Sequence, residues 1–493
     1  MSYLPVLHAM MDFARGIAWL VIGGAILQNF LYLFQLVVAQ RALAAEPPEP
    51  KSTVLWRRSH AVVPPITLMA PAYNEAATVE NSVLSLLALD YPRFEVIVIN
   101  DGSKDETLQV LKDRFELQPA QRDYEAAMSH APIRGIYQSR SHERLIVIDK
   151  ENGGKADALN AGLNLARSPI VCSMDADSIL EADSLLRAVQ PFIEDPERVV
   201  AVGGTIRIAN GCSIKDGRLY EVGVSRNILA LFQTVEYLRA FLLARLAWSR
   251  LGVLTIISGA FGLFRRSALV DIGGYAHGTV GEDMELVIRL HRRAIDTGQP
   301  HRIVFLPEPV CWTECPETLQ ALGRQRSRWH RGAIETFVRH GAMLVQPKYG
   351  RVGMIGLGQV LLFDLIGPIL ELAGYVLLPA MWLLGILNVD YLIAFFSLSI
   401  FFGIAISVGA LAIEEAELRR VGKVSDLLRL AAAAVLENFG FRQMNSWWRI
   451  RGLWQWMRGV KSWGEMTRKG FKHRIAAPGA VLIPVPAPVA PAH

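Results

Sequence analysis

Residues 94–115 read FEVIVINDGSKDETLQVLKDRF. The run from Phe94 to Asn100 is rich in the β-branched and aromatic residues that suit a strand. DGSKDET is turn chemistry, and the residues from Asp105 to Phe115 carry a helical pattern. The same unit of strand, polar tip and helix recurs on either side. ITLMA (66–70) precedes NEAATVENSVLSLLALD, RLIVID (144–149) precedes KADALNAGLNLA, and PIVCSM (169–174) precedes EADSLLRAVQPFIE. Repeated units of this kind predict an α/β fold, a mainly parallel sheet with helices on both faces. Ligands in such sheets bind beyond the carboxyl ends of the strands. The polar clusters of this chain fall there.

The chain has 493 residues, 52% of them hydrophobic, and a mean hydropathy of +0.27, which directs attention to membrane segments. Gly16 to Gln40 contains no ionisable residue, and roughly 20 apolar residues cross a bilayer core of about 30 Å. Residues 1–41 are therefore expected to carry an N-terminal transmembrane helix. Arg41, Lys51, Arg57 and Arg58 follow it while Arg15 alone precedes it, so the next segment is expected in the cytoplasm of a plasma (inner) membrane. Residues 42–64, rich in Pro and charge, read as a linker, and 65–340 as the cytoplasmic domain. Within that domain, 228–252 suits an amphipathic helix at the membrane surface, with a buried soluble helix as the other reading. Residues 341–441 read as a transmembrane region of two or four crossings, 442–475 as a basic cytoplasmic segment and 476–493 as a disordered tail. Cys172, Cys212, Cys311 and Cys315 imply neither a disulfide framework nor a zinc site. The net charge of +5 is modest and accompanied by no nucleic-acid recognition motif. Anionic lipid and an anionic substrate account for it.

Five clusters carry candidate chemistry. Asn74 and Glu75 follow the first strand and Asp101 ends the second, so two neighbouring tips could grip a nucleotide; the same residues also build turns and caps. Gly153 and Gly154 lead into a helix with Lys155 at its start, a combination suited to phosphate. In VCSMDADSIL, a period of two sends Asp175 and Asp177 to one side. A hard divalent cation such as Mg2+ or Mn2+, shared with a diphosphate, relieves that pairing. Asp283 in GTVGEDMELVIRL reads both as an N-cap and as a general base. GRQRSRWHRG (323–332) surrounds Trp329 with Arg324, Arg326, Arg328 and Arg331.

Taken in order, NDGS, NGGK, DAD, GED and QRSRW resemble the motifs of the family 2 glycosyltransferases. Within them the chain is similar to the processive membrane-embedded branch that includes cellulose, chitin, hyaluronan and poly-N-acetylglucosamine synthases. The resemblance spans residues 65–340 and implies a GT-A-type domain that transfers a sugar from a UDP-sugar, with inversion, to the growing end of a β-linked polysaccharide. Export of the product, aided by accessory subunits, is a further expectation. Carried over, it places Asn74, Glu75 and Asp101 around the uridine, Lys155 near the diphosphate, and Asp175 at the nucleotide or donor sugar. Asp177, with Asp175, would hold Mg2+ or Mn2+, and Asp283 would be the catalytic base. Gln325 and Arg328 would meet the diphosphate, Trp329 would stack on the acceptor sugar, and Gly259 and Phe261 in SGAFGLFRR would line the acceptor site. Trp463 and Arg468 resemble a segment that closes over the site in some relatives. Arg324, Arg326 and Arg331 are left as charges near an anionic membrane surface. The alternatives are a transferase that puts one sugar on a membrane lipid and a catalytically idle sugar-nucleotide sensor.

Overall fold

The computed structural model describes residues 4–45, 63–176, 178–215, 218–418 and 423–460. The four strands expected from the sequence are present: β1 (Ile66–Ala72), β2 (Phe94–Asp101), β5 (Leu145–Lys150) and β6 (Ile170–Met174). Each is followed by a helix, over Val79–Leu87, Thr107–Arg114, Lys155–Leu165 and Ser184–Glu194. The remaining described strands are β3 (Leu117–Pro119), β4 (Ile133–Ser139), β7 (Ile179–Leu180), β8 (Val199–Ile208), β9 (Ser213–Lys215), β10 (Arg218–Glu221), β11 (Phe261–Arg265) and β12 (Arg302–Thr313). Strands β9 and β10 form a ribbon; the others make one sheet in the order β3-β4-β5-β2-β1-β6-β11-β8-β12-β7. Its core β5-β2-β1-β6 is parallel, and β11 lies antiparallel between β6 and β8. The sheet is thus mixed around a parallel core. Every residue of β5 is buried and β2 nearly so, which fits strands covered on both faces.

Register decides where the polar tips meet. Asp101 pairs with Lys150 across β2 and β5, Ala72 with Asn100 across β1 and β2, and Phe261 with Met174 across β11 and β6. Because β11 runs the opposite way, its start lies at the same edge as the ends of its parallel neighbours. Segments 73–75, 101–103, 152–155, 175 and 258–260 therefore converge on one rim.

The 22-residue helix Leu319–His340 carries GRQRSRWHRG at its centre, capped by Thr318 Oγ1, which accepts the Ala321 N–H at 3.3 Å. Three close approaches seat it. A Cβ on Gly332 would lie 2.8 Å from Gly281 Cα, one on Gly281 2.9 Å from Gly332, and one on Gly323 2.7 Å from the Trp448 ring. Glu335 Oε2 also accepts the Thr279 hydroxyl at 3.0 Å and the Val280 N–H at 2.9 Å. The helix is thus clamped between the loop before Glu282 and the Phe441–Met457 helix.

Among the described residues three helical stretches are long and apolar enough to cross a membrane: Met11–Ala45, Val352–Leu383 and Val389–Ala416. The first belongs to a 42-residue helix, Leu4–Ala45, roughly 60 Å long at 1.5 Å per residue and so well beyond a bilayer core. Trp19 and Phe30 on it are 63% and 67% exposed, as lipid-facing side chains would be. In the helical stretch Ile228–Arg250, Ala230, Val235, Leu242 and Leu246 are fully buried while Ile228 is exposed. Arg239 pairs with Glu437 and Arg207 with Glu414, tying the sheet domain to the apolar helices.

Gly332→Ala drives a methyl group into the Gly281 backbone. Overpacking of this kind costs about 1–3 kcal/mol, so the detergent-solubilised variant should melt several degrees lower. Gly341→Ala, whose Cβ meets only the Phe337 ring at 3.4 Å, should melt with wild type.

Candidate active site

Lys155 is the ionic centre of the rim. Its Nζ lies 2.6 Å from Asp175 Oδ1, 3.2 Å from Glu282 Oε1 and 3.4 Å from the Gly259 carbonyl. A Cβ on Gly259 would sit 2.5 Å from that ammonium, so a side chain there would shift the lysine tip. The Gly259 N–H in turn donates to Asp283 Oδ2 at 3.2 Å, while Asp283 Oδ1 accepts the Met284 N–H at 2.8 Å. Burial pushes the Lys155 ammonium down, but Asp175, Glu282 and Asp283 outweigh it and hold the group above the ordinary lysine value. At Glu282 burial raises the carboxyl, Lys155 draws it back, and Asp283 pushes it up again, leaving it above the usual range. Leu159, Ser173, Ile257 and Tyr275 line the rest of this cavity.

The loop that presents Lys155 is built by Asp101. Its carboxylate accepts the Gly153 N–H at 3.0 Å and the Gly154 N–H at 2.8 Å, and pairs with Lys150 Nζ at 2.6 Å. Lys150, with no exposed side-chain surface, also meets Asp157 Oδ1 at 2.5 Å. Gly154, at φ 89°, is the N-cap residue of the Lys155–Leu165 helix, a conformation strained for any residue with a Cβ. Asp101 therefore shapes the NGGK loop, a role that the strand-tip reading did not contain. Lys150 went unread because a lysine ending an apolar strand carries no sign of its partners; only the β2/β5 register supplies them.

Asn74 and Glu75 link adjacent tips. Asn74, at φ 56°, donates its N–H to Ser103 Oγ at 3.0 Å and accepts the Lys104 N–H at 2.8 Å. The Glu75 N–H donates to Thr107 Oγ1 at 2.8 Å, and Glu75 Oε2 accepts from Thr78 Oγ1 at 2.6 Å. On the Leu319–His340 helix, Gln325, Arg328 and Gly332 share one face at i, i+3 and i+7. Contact of Gly332 with Gly281 thus turns Gln325 and Arg328 toward the GED loop. Both are buried, and Gln325 Oε1 has no hydrogen-bond partner among the described residues. Trp329 is 42% exposed.

Four sequence expectations need correction. Phe261 is fully buried in β11, so its ring supports the floor of the rim and does not face an acceptor. Asp283 is the second residue of the Glu282–Asp296 helix, whose N-cap residue is Gly281. Arg326 is buried and paired with Glu236 at 2.7 Å; Arg331 is buried and donates to the Val460 carbonyl at 2.9 Å. Neither is a free membrane-facing charge, whereas Arg324 is exposed. Asp177, Trp463 and Arg468 lie outside the described residues.

Among the described residues no group of three His, Cys, Asp or Glu side chains could hold a metal ion. The donors fit a hard divalent cation in kind, since Asp175 offers carboxylate oxygen at the partly open mouth of the rim. Such a cation would share that carboxylate with the Lys155 ammonium.

With this geometry in hand, the glycosyl transferase family 2 model matches residues 67–273. Residues 67–273 are a family 2 glycosyltransferase domain. The chain is 33% identical over 275 residues to a poly-beta-1,6-N-acetyl-D-glucosamine synthase of Staphylococcus aureus, a match covering 56% of each chain. A synthase of the same description from Staphylococcus epidermidis is 31% identical over 287 residues, 58% of this chain and 59% of the relative. The chain thus spans little more than half the length of these relatives. A mannosyltransferase from Pyrobaculum calidifontis, solved with GDP-Man and Mn2+, superposes with a TM-score of 0.53 at 19% identity, covering 91% of this chain and 99% of that one. That likeness is one of fold, a GT-A-like mixed α/β sheet.

Lys150→Met leaves two buried carboxylates without their cation. Loss of one partner of a buried pair costs about 3–5 kcal/mol. The variant should unfold at markedly lower temperature and fail to bind UDP in titration calorimetry; wild-type melting would show that Asp101 and Asp157 do not depend on it.

Proposed function

We propose that this protein transfers N-acetylglucosamine from UDP-N-acetylglucosamine to the growing end of a β-linked polymer, at the cytoplasmic face of a membrane. The observation that carries the reading is the junction of Lys155 with Asp175, Glu282 and Gly259, which brings NGGK, DAD, SGA and GED to a single point. The similarity to poly-beta-1,6-N-acetyl-D-glucosamine synthases supports the choice of sugar, and the three apolar helices support the membrane setting.

The chemistry follows from charge and position. Asn74 and Glu75 fix the tips that border the nucleotide, and Asp101 holds the NGGK loop so that Lys155 faces the diphosphate. Lys155, joined by Gln325 and Arg328, neutralises the negative charge that grows on the departing UDP. A divalent cation, Mg2+ or Mn2+, held by Asp175 and Asp177 would supply further neutralisation of that diphosphate. Asp283 takes the proton of the attacking hydroxyl, its carboxylate oriented by the Gly259 N–H. Trp329 offers its exposed face to the acceptor sugar, while Gly259 leaves room beneath it. In-line attack at the anomeric carbon inverts an α-linked donor into a β-linkage and needs no covalent intermediate. Trp463 and Arg468 are assigned to closure over the loaded site, and export of the polymer to the apolar helices with accessory subunits.

Membrane vesicles given labelled UDP-N-acetylglucosamine and Mn2+ should yield a long polymer. Asp283→Asn should keep UDP affinity while lowering transfer by about 100-fold or more, the scale of a lost general base. Turnover of that variant at the wild-type rate would refute the base assignment. A product carrying one sugar on lipid would establish the glycolipid alternative instead.

Asp177→Ala should weaken UDP binding only when Mn2+ is present. Equal loss with and without the metal would show that Asp177 does not hold it.

A further inference from the structure

Arg326 has no role in the chemistry above, yet its surroundings are more specific than packing requires. Its side chain is 6% exposed, and Nη2 donates to Glu236 Oε2 at 2.7 Å. Its guanidinium carbon stands 4.4 Å from the centre of the Trp329 ring. The two residues are three apart on one helix, the spacing that stacks side chains on a shared face. Glu236 comes from a different element, the Ile228–Tyr237 helix, and its Oε1 is 3.5 Å from Asn445 Nδ2 on the Phe441–Met457 helix. The cation is thus fixed from outside before it meets the indole.

A half-exposed tryptophan on a helix surface has several rotamers open to it. A sugar ring must select one of them, and the ordering cost weakens binding. A guanidinium held over one face of the ring restricts that freedom. We infer that Arg326, anchored by Glu236, is a positioning residue that holds the Trp329 indole in the plane that receives the acceptor sugar. This rests on the assignment of Trp329 to the acceptor. Arg328, two residues on, serves the donor, so the adjacent arginines of QRSRW divide between the two substrates.

The test measures initial transfer rates in vesicles, varying UDP-N-acetylglucosamine and a short β-1,6-linked N-acetylglucosamine oligosaccharide in turn. Arg326→Gln should raise the acceptor KM about tenfold, the equivalent of one desolvated cation–π contact, with the donor KM within about twofold of wild type on the same scale. Arg326→Lys, which keeps the charge and the Glu236 pair but not the planar guanidinium, should recover part of the loss. Glu236→Gln, which keeps the shape of the anchor, should raise the acceptor KM in the same direction and decides the matter if Arg326→Gln fails to bind UDP. A purely structural arginine would move both KM values together, and that result, or no change in either, overturns the inference. Trp329→Ala separates the layers. If it raises the acceptor KM while the Arg326 and Glu236 variants do not, the positioning role falls and the acceptor assignment stands. If Trp329→Ala leaves the acceptor KM unmoved, both fall.

Discussion

The ammonium of Lys155 is the constraint around which the rest of the molecule is arranged. It satisfies Asp175 at the end of the parallel core, Glu282 at the start of the helix that carries Asp283, and the carbonyl of Gly259 before the antiparallel strand. Without a cation there, the carboxylates of Asp175 and Glu282, from separate elements, would converge with the neighbouring Asp283 in a half-buried cleft, at a cost of several kcal/mol. With it, the two halves of the sheet are joined at the rim. Under the proposed function, the same charge that stabilises the ligand-free cleft would face the diphosphate of the donor, and Asp175 would be a ligand for a divalent cation.

Backbone proximity does the remaining positioning. A side chain at Gly259 would shift the Lys155 tip, and Gly281 and Gly332 are small so that the helix bearing Gln325 and Arg328 can lie against the GED loop. That helix is held from behind by Trp448 through Gly323 and by the Ser327 hydroxyl, which donates to the Trp448 carbonyl at 2.9 Å. The Phe441–Met457 helix reaches the membrane region in turn, through Arg442 and Ser446 to Glu371 at 2.8 Å each. The helix bearing Gln325 and Arg328 and the apolar helices are therefore joined by a continuous chain of contacts.

The sequence carried the parallel core and its polar tips plainly, since four apolar runs each ended in, or were followed within a few residues by, Asn or Asp and led into a helix. It could not carry register. Lys150 faces Asp101 because β2 and β5 align at that residue, and β11 contributes Gly259 to the rim because it runs antiparallel, neither of which is written in local pattern. Side-chain direction was equally hidden. Arg326 and Arg331 read as surface charge because their partners, Glu236 and the Val460 carbonyl, lie far away in the chain. Phe261 is expected at the acceptor from the resemblance of SGAFGLFRR to the family's acceptor segment, whereas its ring is fully buried in β11. The motif residues were legible one by one, and the ionic junction that unites them was not.

The claim that Lys155 receives the diphosphate is open to direct measurement by titration calorimetry of UDP, with and without Mn2+, against the solubilised wild type and Lys155→Met. Loss of a charge-assisted contact to the leaving group should weaken UDP binding by about tenfold or more, with Mn2+ present. UDP affinity equal to wild type in the Lys155→Met protein would contradict the account, because the cluster would then be a structural ion pair and the donor site would lie elsewhere.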